Sequence, residues 1–184
     1  YPESKNKGKF EALASLVTSL YFGVEKYDRG WITKQSGDMG VDFVGCLKIF
    51  NEEAPKPPGT VLGHTKLLVI GQAKCRTNYM KKAEDAKDIA RVASRLQRGY
   101  LGVYVTTGQY KESTQKEVSM DGYPIILING RQVADLLNMH SLRTGQSIKE
   151  ILIECDEFYR DNQSNKPPEH ILRDSQSSKL QVGD

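Results

Sequence analysis

Cysteine, histidine and tryptophan are all scarce in this chain of 184 residues, which holds three, three and one of them. Cys46, Cys75 and Cys155 are odd in number and far apart, with no C-x-x-C pair, so neither a disulfide framework nor a zinc site is indicated. They fit a reducing cytoplasm, expected here to be the interior of a bacterial cell. His64, His140 and His170 are too scattered for a histidine-centred metal cluster or an HNH-type site. No apolar run approaches the roughly 20 residues that span a bilayer, so no membrane partner is expected. Tyr1 to Lys9 is polar and basic, unlike a signal peptide. The stretch from Gly99 to Gly102 lacks the G-K-[ST] ending of a phosphate loop. An excess of one charge is also missing: the net value is +3, from 26 basic and 23 acidic residues, which by itself does not point to nucleic acid. The chain opens on Tyr1 rather than Met and reads as a fragment of something longer.

What is present is the balance of a globular domain, 38% hydrophobic and 27% charged. Phe10, Leu13, Ala14, Val17 and Leu20 recur at helical spacing and predict a helix over 10–21, with Glu11 beside the apolar stripe. A short extended piece at 31–33 precedes the glycine-rich loop Gln35 to Gly40, which delivers the chain into a strand at 41–50. Asn51 to His64 carries three prolines and two glycines and reads as an irregular excursion. A second strong strand is expected at 66–74, then a long helix over 80–98. Its stripe of Ala83, Ala86, Ala90, Ala93 and Gln97 lies beside Ile89, Val92 and Leu96. Strands at 101–107 and 124–129 alternate with helices at 113–120 and 130–138. Ser147 and Glu150 have the form of a capping box that starts a final helix. Its inward residues are expected to be Ile148, Ile151, Leu152, Cys155 and Tyr159. Beyond Arg160 a polar tail with Pro167-Pro168 is expected to be loose. This alternation predicts an α/β fold with a central mixed sheet flanked by helices.

Three residues carry chemistry. Asp42 stands near the start of one strand, and Gln72 and Lys74 at the end of the next. Side chains alternate along a strand, so Gln72 and Lys74 share a face. A carboxylate and an amide oxygen can hold Mg²⁺, a hard cation that prefers oxygen. Such an ion activates water and offsets charge on a phosphate. Lys74 can orient the nucleophile and stabilise developing negative charge, and Glu11 can serve as a further ligand, direct or through water. Glutamine in place of an acid removes a charge, so weaker metal binding is expected unless Glu11 compensates. Asp38 competes with Asp42 as metal ligand, its place between glycines favouring a loop-stabilising role.

Ser36-Gly37-Asp38-Met39-Gly40-Val41-Asp42 followed by Val69-Ile70-Gly71-Gln72-Ala73-Lys74 resembles the Mrr-like branch of the PD-(D/E)XK nucleases, with its G-D-x-G-x-D and Q-x-K motifs. The resemblance runs from about residue 9 to 138, through Gly102 to Thr107 and Ile125 to Gly130. Within that branch the chain is similar to the C-terminal cleavage domain of modification-dependent (5-methylcytosine) restriction endonucleases of the MspJI and AspBHI group. The resemblance implies a restriction-endonuclease-like core, a Mg²⁺-dependent enzyme, and hydrolysis of duplex DNA to 5′-phosphate and 3′-hydroxyl ends. It assigns the site to Asp42, Gln72 and Lys74, with Glu11 matching the helix acid.

The expected organisation is a linker end over 1–8, the endonuclease domain over 9–160 and a tail over 161–184. Arg76, Lys81, Lys82, Thr107 and Lys111 are candidate DNA contacts. The cluster from Lys74 to Lys82, continued by Arg91, Arg95 and Arg98, either neutralises phosphates or is a solvated face. Thr106 and Thr107 either bond phosphate or end a strand, and Trp31 is expected in the core. Cutting both strands calls for a homodimer or higher assembly, and a separate N-terminal domain is expected to recognise the target. The rival readings are a structure-selective nuclease such as a junction resolvase, and an inactive nuclease fold that only grips DNA.

Overall fold

Strand β3 (Lys66–Lys74) is the middle of the molecule, and its alternating residues feed two separate cores. The computed structural model describes residues 7–34, 40–49, 66–76 and 83–172. Before β3 come α1 (Lys7–Phe22), β1 (Tyr27–Thr33) and β2 (Phe43–Lys48). After it follow α2 (Ala86–Ala93), β4 (Tyr100–Thr106), α3 (Glu112–Met120), β5 (Ile125–Ile128), α4 (Gly130–Thr144), α5 (Ile148–Asp161) and β6 (Gln163–Ser164). The described strands form one sheet in the order β5-β4-β3-β2-β1-β6. β1, β2 and β3 pair antiparallel, whereas β3, β4 and β5 run parallel, as does β6 against β1. The parallel pairs need crossovers, and α2 and α3 supply them. The expected mixed sheet flanked by helices is therefore the fold.

On one face, Val69 and Ala73 of β3 join Val103, Val105 and Ile128 beneath α1, α4 and α5, with Leu13, Val17, Leu137 and Ile151 buried among them. On the other, Leu68, Ile70 and Tyr104 meet Ile89 and Val92 of α2. Gly71 makes the first packing possible: a Cβ there would sit 1.9 Å from a Phe43 ring atom. Arg29 ties three elements together. Its guanidinium donates to Ala12 O at 3.0 Å and lies over the Phe158 ring at 3.6 Å from the centroid. Burial lowers its pKa from the ordinary value, although it remains a cation.

The helix expected over 80–98 is shorter where it is described. Glu84 forms a parallel bridge with Tyr110, and Asp85 caps α2 in a reciprocal pair with Asp88. The helix therefore starts at Ala86 and ends at Ala93, before the turn that leads into β4. Its alanine stripe is not the packing face: Ala90 and Gln97 are exposed, and Ile89 and Val92 are the buried pair. α4 extends past the expected Asn138 to Thr144, where Gly145 closes it at φ +74°. The capping box at Ser147 and Glu150 is present, but Ile148 is exposed while Ile151 and Cys155 are buried. After α5 the chain is not loose in its described part, because β6 extends the sheet beside β1 and Ile171 packs in the second core. Trp31 is in that core as expected. Asp38, the excursion over 51–64 with His64, Lys81, Lys82 and the tail after Leu172 lie outside the described residues.

Candidate active site

The site grows from the register of β2 and β3. Phe43 pairs with Gly71 across the antiparallel ladder, and Asp42, the residue just before β2, meets the end of β3 that carries Gln72 and Lys74. Gly40, at φ +82°, turns the chain into this position with a backbone that other residues rarely adopt. Asp42 is then held on both sides: its N–H donates to Gly71 O at 2.8 Å, and its carbonyl accepts from Thr33 N–H at 3.0 Å. Gln72 and Lys74, two residues apart, share the α2 face of β3 with Leu68 and Ile70, and the Asp42 carboxylate reaches Ala73 between them.

Their surroundings differ. Asp42 is only 5% exposed, and its Oδ2 accepts the Ala73 N–H at 2.7 Å. The carboxylate is thereby fixed between the two residues of the Q-x-K pair. Gln72 Oε1 is buried without a hydrogen-bond partner. An amide oxygen in that state costs about 1–3 kcal/mol unless something completes it. Lys74 is half-buried, and its ammonium makes no hydrogen bond or ion pair among the described residues. An orphaned oxygen beside a fixed carboxylate fits an oxygen-seeking divalent cation. Three clustered His, Cys, Asp or Glu side chains are not found among the described residues, so the candidate is a carboxylate with an amide rather than an acidic cluster.

Glu11 is placed differently. It is 3% exposed on α1, the helix that covers the Val69 and Ala73 face of β3, opposite Gln72 and Lys74. α1 runs antiparallel to β1, because Phe22 stacks on Tyr27 while Ala12 meets Arg29. Glu11 thus sits toward the Thr33 and Asp42 end of the sheet, on the helix that covers the face opposite Gln72 and Lys74.

Of the candidate DNA contacts, Arg76 donates in a fork to Glu84, Nε to Oε1 at 2.7 Å and Nη2 to Oε2 at 2.6 Å. Thr107 Oγ1 accepts Arg76 N–H at 2.7 Å. Lys111 is exposed at the start of α3, its ammonium 3.8 Å from Asp85.

Glu84 is the residue that sequence reasoning missed. It is fully buried yet ionised: burial pushes its carboxyl up, and the Arg76 and Thr106 hydrogen bonds with the Arg76 charge bring it below the ordinary 4.5. Tyr104 O–H also donates to it, at 3.3 Å, and the Tyr104 phenol is raised well above 10, chiefly by burial. Glu84 falls inside the helix expected over 80–98, and the sequence assigned it no role. The Asp85 and Asp88 capping spacing was the signal that the helix starts after it.

Comparison with known proteins agrees with this geometry. A restriction endonuclease family model (Mrr_cat) matches residues 7–137. The solved structure of MspJI restriction endonuclease in complex with a 27-mer oligonucleotide aligns with a TM-score of 0.75 and 32% identity over 91% of this chain. That of the DNA modification-dependent restriction endonuclease AspBHI aligns with a TM-score of 0.65 and 26% identity over 84%. This chain spans 36% of the length of each. No curated protein sequence matches it. Because the family model covers well over half of the chain, the chain belongs to the restriction endonuclease family and is a catalytic domain similar to those of MspJI and AspBHI.

Proposed function

We propose that this chain is the cleavage domain of a modification-dependent restriction endonuclease, which hydrolyses duplex DNA with Mg²⁺ to leave 5′-phosphate and 3′-hydroxyl ends. The observation that carries this reading is the Asp42 carboxylate bonded to the N–H of Ala73, the residue between Gln72, whose oxygen is unpartnered, and Lys74. Asp42 and Gln72 would hold the cation, and Glu11 would complete its shell around the end of the sheet, directly or through water. When bound, the ion supplies charge against the phosphate and activates the attacking water. The chain's own residues supply the rest. Lys74 orients the nucleophile and offsets charge on the scissile phosphate. The Ala73 amide keeps the Asp42 carboxylate from rotating away. Thr107, Lys111, Lys81 and Lys82 would meet flanking phosphates, which positions DNA without reading its sequence.

Residues 9–160 form the catalytic unit in this reading. Dependence on DNA modification follows the description of AspBHI, with cytosine as the modified base implied by the family resemblance, and would reside in a recognition domain elsewhere in a longer protein. A homodimer or higher assembly would bring two sites to the two strands. The test is cleavage of methylated and unmethylated plasmid by the full-length protein, with Mg²⁺ and with a chelator. Linear or nicked product only with the metal, and more of it from methylated plasmid, is the expected result. Bound but uncut DNA would leave a binding module in its place.

A further inference from the structure

Glu84 has no place in the chemistry just described, yet it is the most heavily bonded side chain near it. Its Oε1 accepts from Arg76 Nε and from Thr106 Oγ1, at 2.7 and 2.9 Å. Its Oε2 accepts from Arg76 Nη2 and Tyr104 O–H, at 2.6 and 3.3 Å. Its own backbone is fixed too: Glu84 N–H donates to Gln109 O at 2.7 Å, and Glu84 O accepts from Lys111 N–H at 3.2 Å. The donors are not scattered. Tyr104 and Thr106 pair in register with Gln72 and Lys74, and Arg76 is two residues beyond Lys74. The Thr106 hydroxyl also lies 3.1 Å from Lys74 O, so its one proton serves both acceptors, while it accepts Gly108 N–H at 3.0 Å.

We propose that Glu84 is a positioning residue of the active site: its buried carboxylate locks Arg76 and Thr106, and through them fixes the strand end from which Lys74 reaches the phosphate. Arg76 then braces the site, its fork engaged by Glu84, rather than leaving it to grip DNA. The arrangement suits a half-buried lysine. At the open end of a parallel strand pair the backbone would fray, and a satisfied polar network at low dielectric holds one geometry. This inference rests on the assignment of Lys74 to the cleavage site.

The experiment uses the full-length protein with its lysines reductively ¹³C-methylated, the Lys74 resonance being identified by its loss in Lys74→Arg. Glu84→Gln and Thr106→Val keep side-chain shape while removing the charge or the hydroxyl. Both are expected to move the Lys74 resonance and leave that of Lys149 on α5 in place. Both should lower the cleavage rate at saturating Mg²⁺ and DNA by about 10- to 100-fold, with the KM for DNA unchanged. Thr106→Ser, which restores the hydroxyl, should recover both properties. A folded Glu84→Gln variant with the wild-type Lys74 resonance and rate overturns the proposal. So does a loss of rate in Thr106→Val that Thr106→Ser fails to restore. If the wild-type protein cuts nothing, the cleavage reading falls separately, and the resonance still decides whether Glu84 positions Lys74.

Discussion

The two faces of β3 are built from alternate residues of one nine-residue strand, yet they are finished differently. On the Val69 and Ala73 face, three helices cover the sheet and the core is apolar from Phe10 to Cys155. On the Leu68 and Ile70 face, the described cover is mainly α2, eight residues long, and the apolar part stops at Ile70. Gln72 and Lys74 follow on that same face. The thick side makes the sheet rigid, and on the thin side Gln72 and Lys74 are only half-buried among the described residues. A cleavage site needs both properties, because groups must be held to a fraction of an ångström while a DNA backbone still reaches them.

If the thin face carries the chemistry, Asp42→Asn has the largest effect. Asparagine can keep an acceptor for Ala73 N–H but loses the charge, and single-turnover cleavage should fall by about 10³-fold, or about 4 kcal/mol in barrier. If the thick face, Glu11 apart, carries only stability, Ile151→Ala on α5 should cost about 3 kcal/mol in denaturant unfolding and leave the cleavage rate of the folded protein unchanged. A rate loss there would break the division between the faces.

Glu84→Gln removes an ionic hydrogen-bond partner of Arg76 and should cost about 2 kcal/mol at neutral pH. The Glu84 carboxyl titrates below its ordinary value in the folded protein. Its contribution is therefore complete above the ordinary carboxylate range and is lost as pH falls through the lower folded value. The stability difference between wild type and Glu84→Gln should accordingly shrink in acid, which unfolding curves at a series of pH values would show. The smallest expected effect is Gln72→Glu. The added charge should lower the Mg²⁺ concentration for half-maximal cleavage by about tenfold, or about 1.4 kcal/mol. An unchanged metal requirement would remove Gln72 from the metal's shell.

Much of this architecture was legible in the sequence for local reasons. β3 was predicted with its observed bounds because a continuous apolar run between a proline-rich stretch and a basic stretch has few alternatives. The capping pair at Ser147 and Glu150 is written in adjacent letters. The motif spacing named Asp42 together with Gln72 and Lys74, and the Asp42 carboxylate bonds the residue between those two. The failures were tertiary. Ala83 to Gln97 had helical periodicity, but a bridge from Glu84 to Tyr110 draws the first of those residues toward the sheet, and pairing with a residue 26 positions away leaves no local pattern. β6 is two residues long and exists through its partner β1. Thr106 ends β4, as one of its two readings had it, but its bond to Glu84 could not be read from the sequence. Which face Glu11 belongs to was likewise invisible, since a residue beside a helix stripe borders two sides.

The central claim is that Lys74, beside Asp42 and Gln72, completes a metal-dependent phosphodiesterase site. It is tested most directly by comparing plasmid cleavage by the full-length protein and its Lys74→Ala variant, with and without Mg²⁺, after matched folding by circular dichroism. The account predicts Mg²⁺-dependent cutting by the wild type and a loss of at least about 10²-fold in the variant, with DNA binding retained. Equal cutting by both proteins would contradict it.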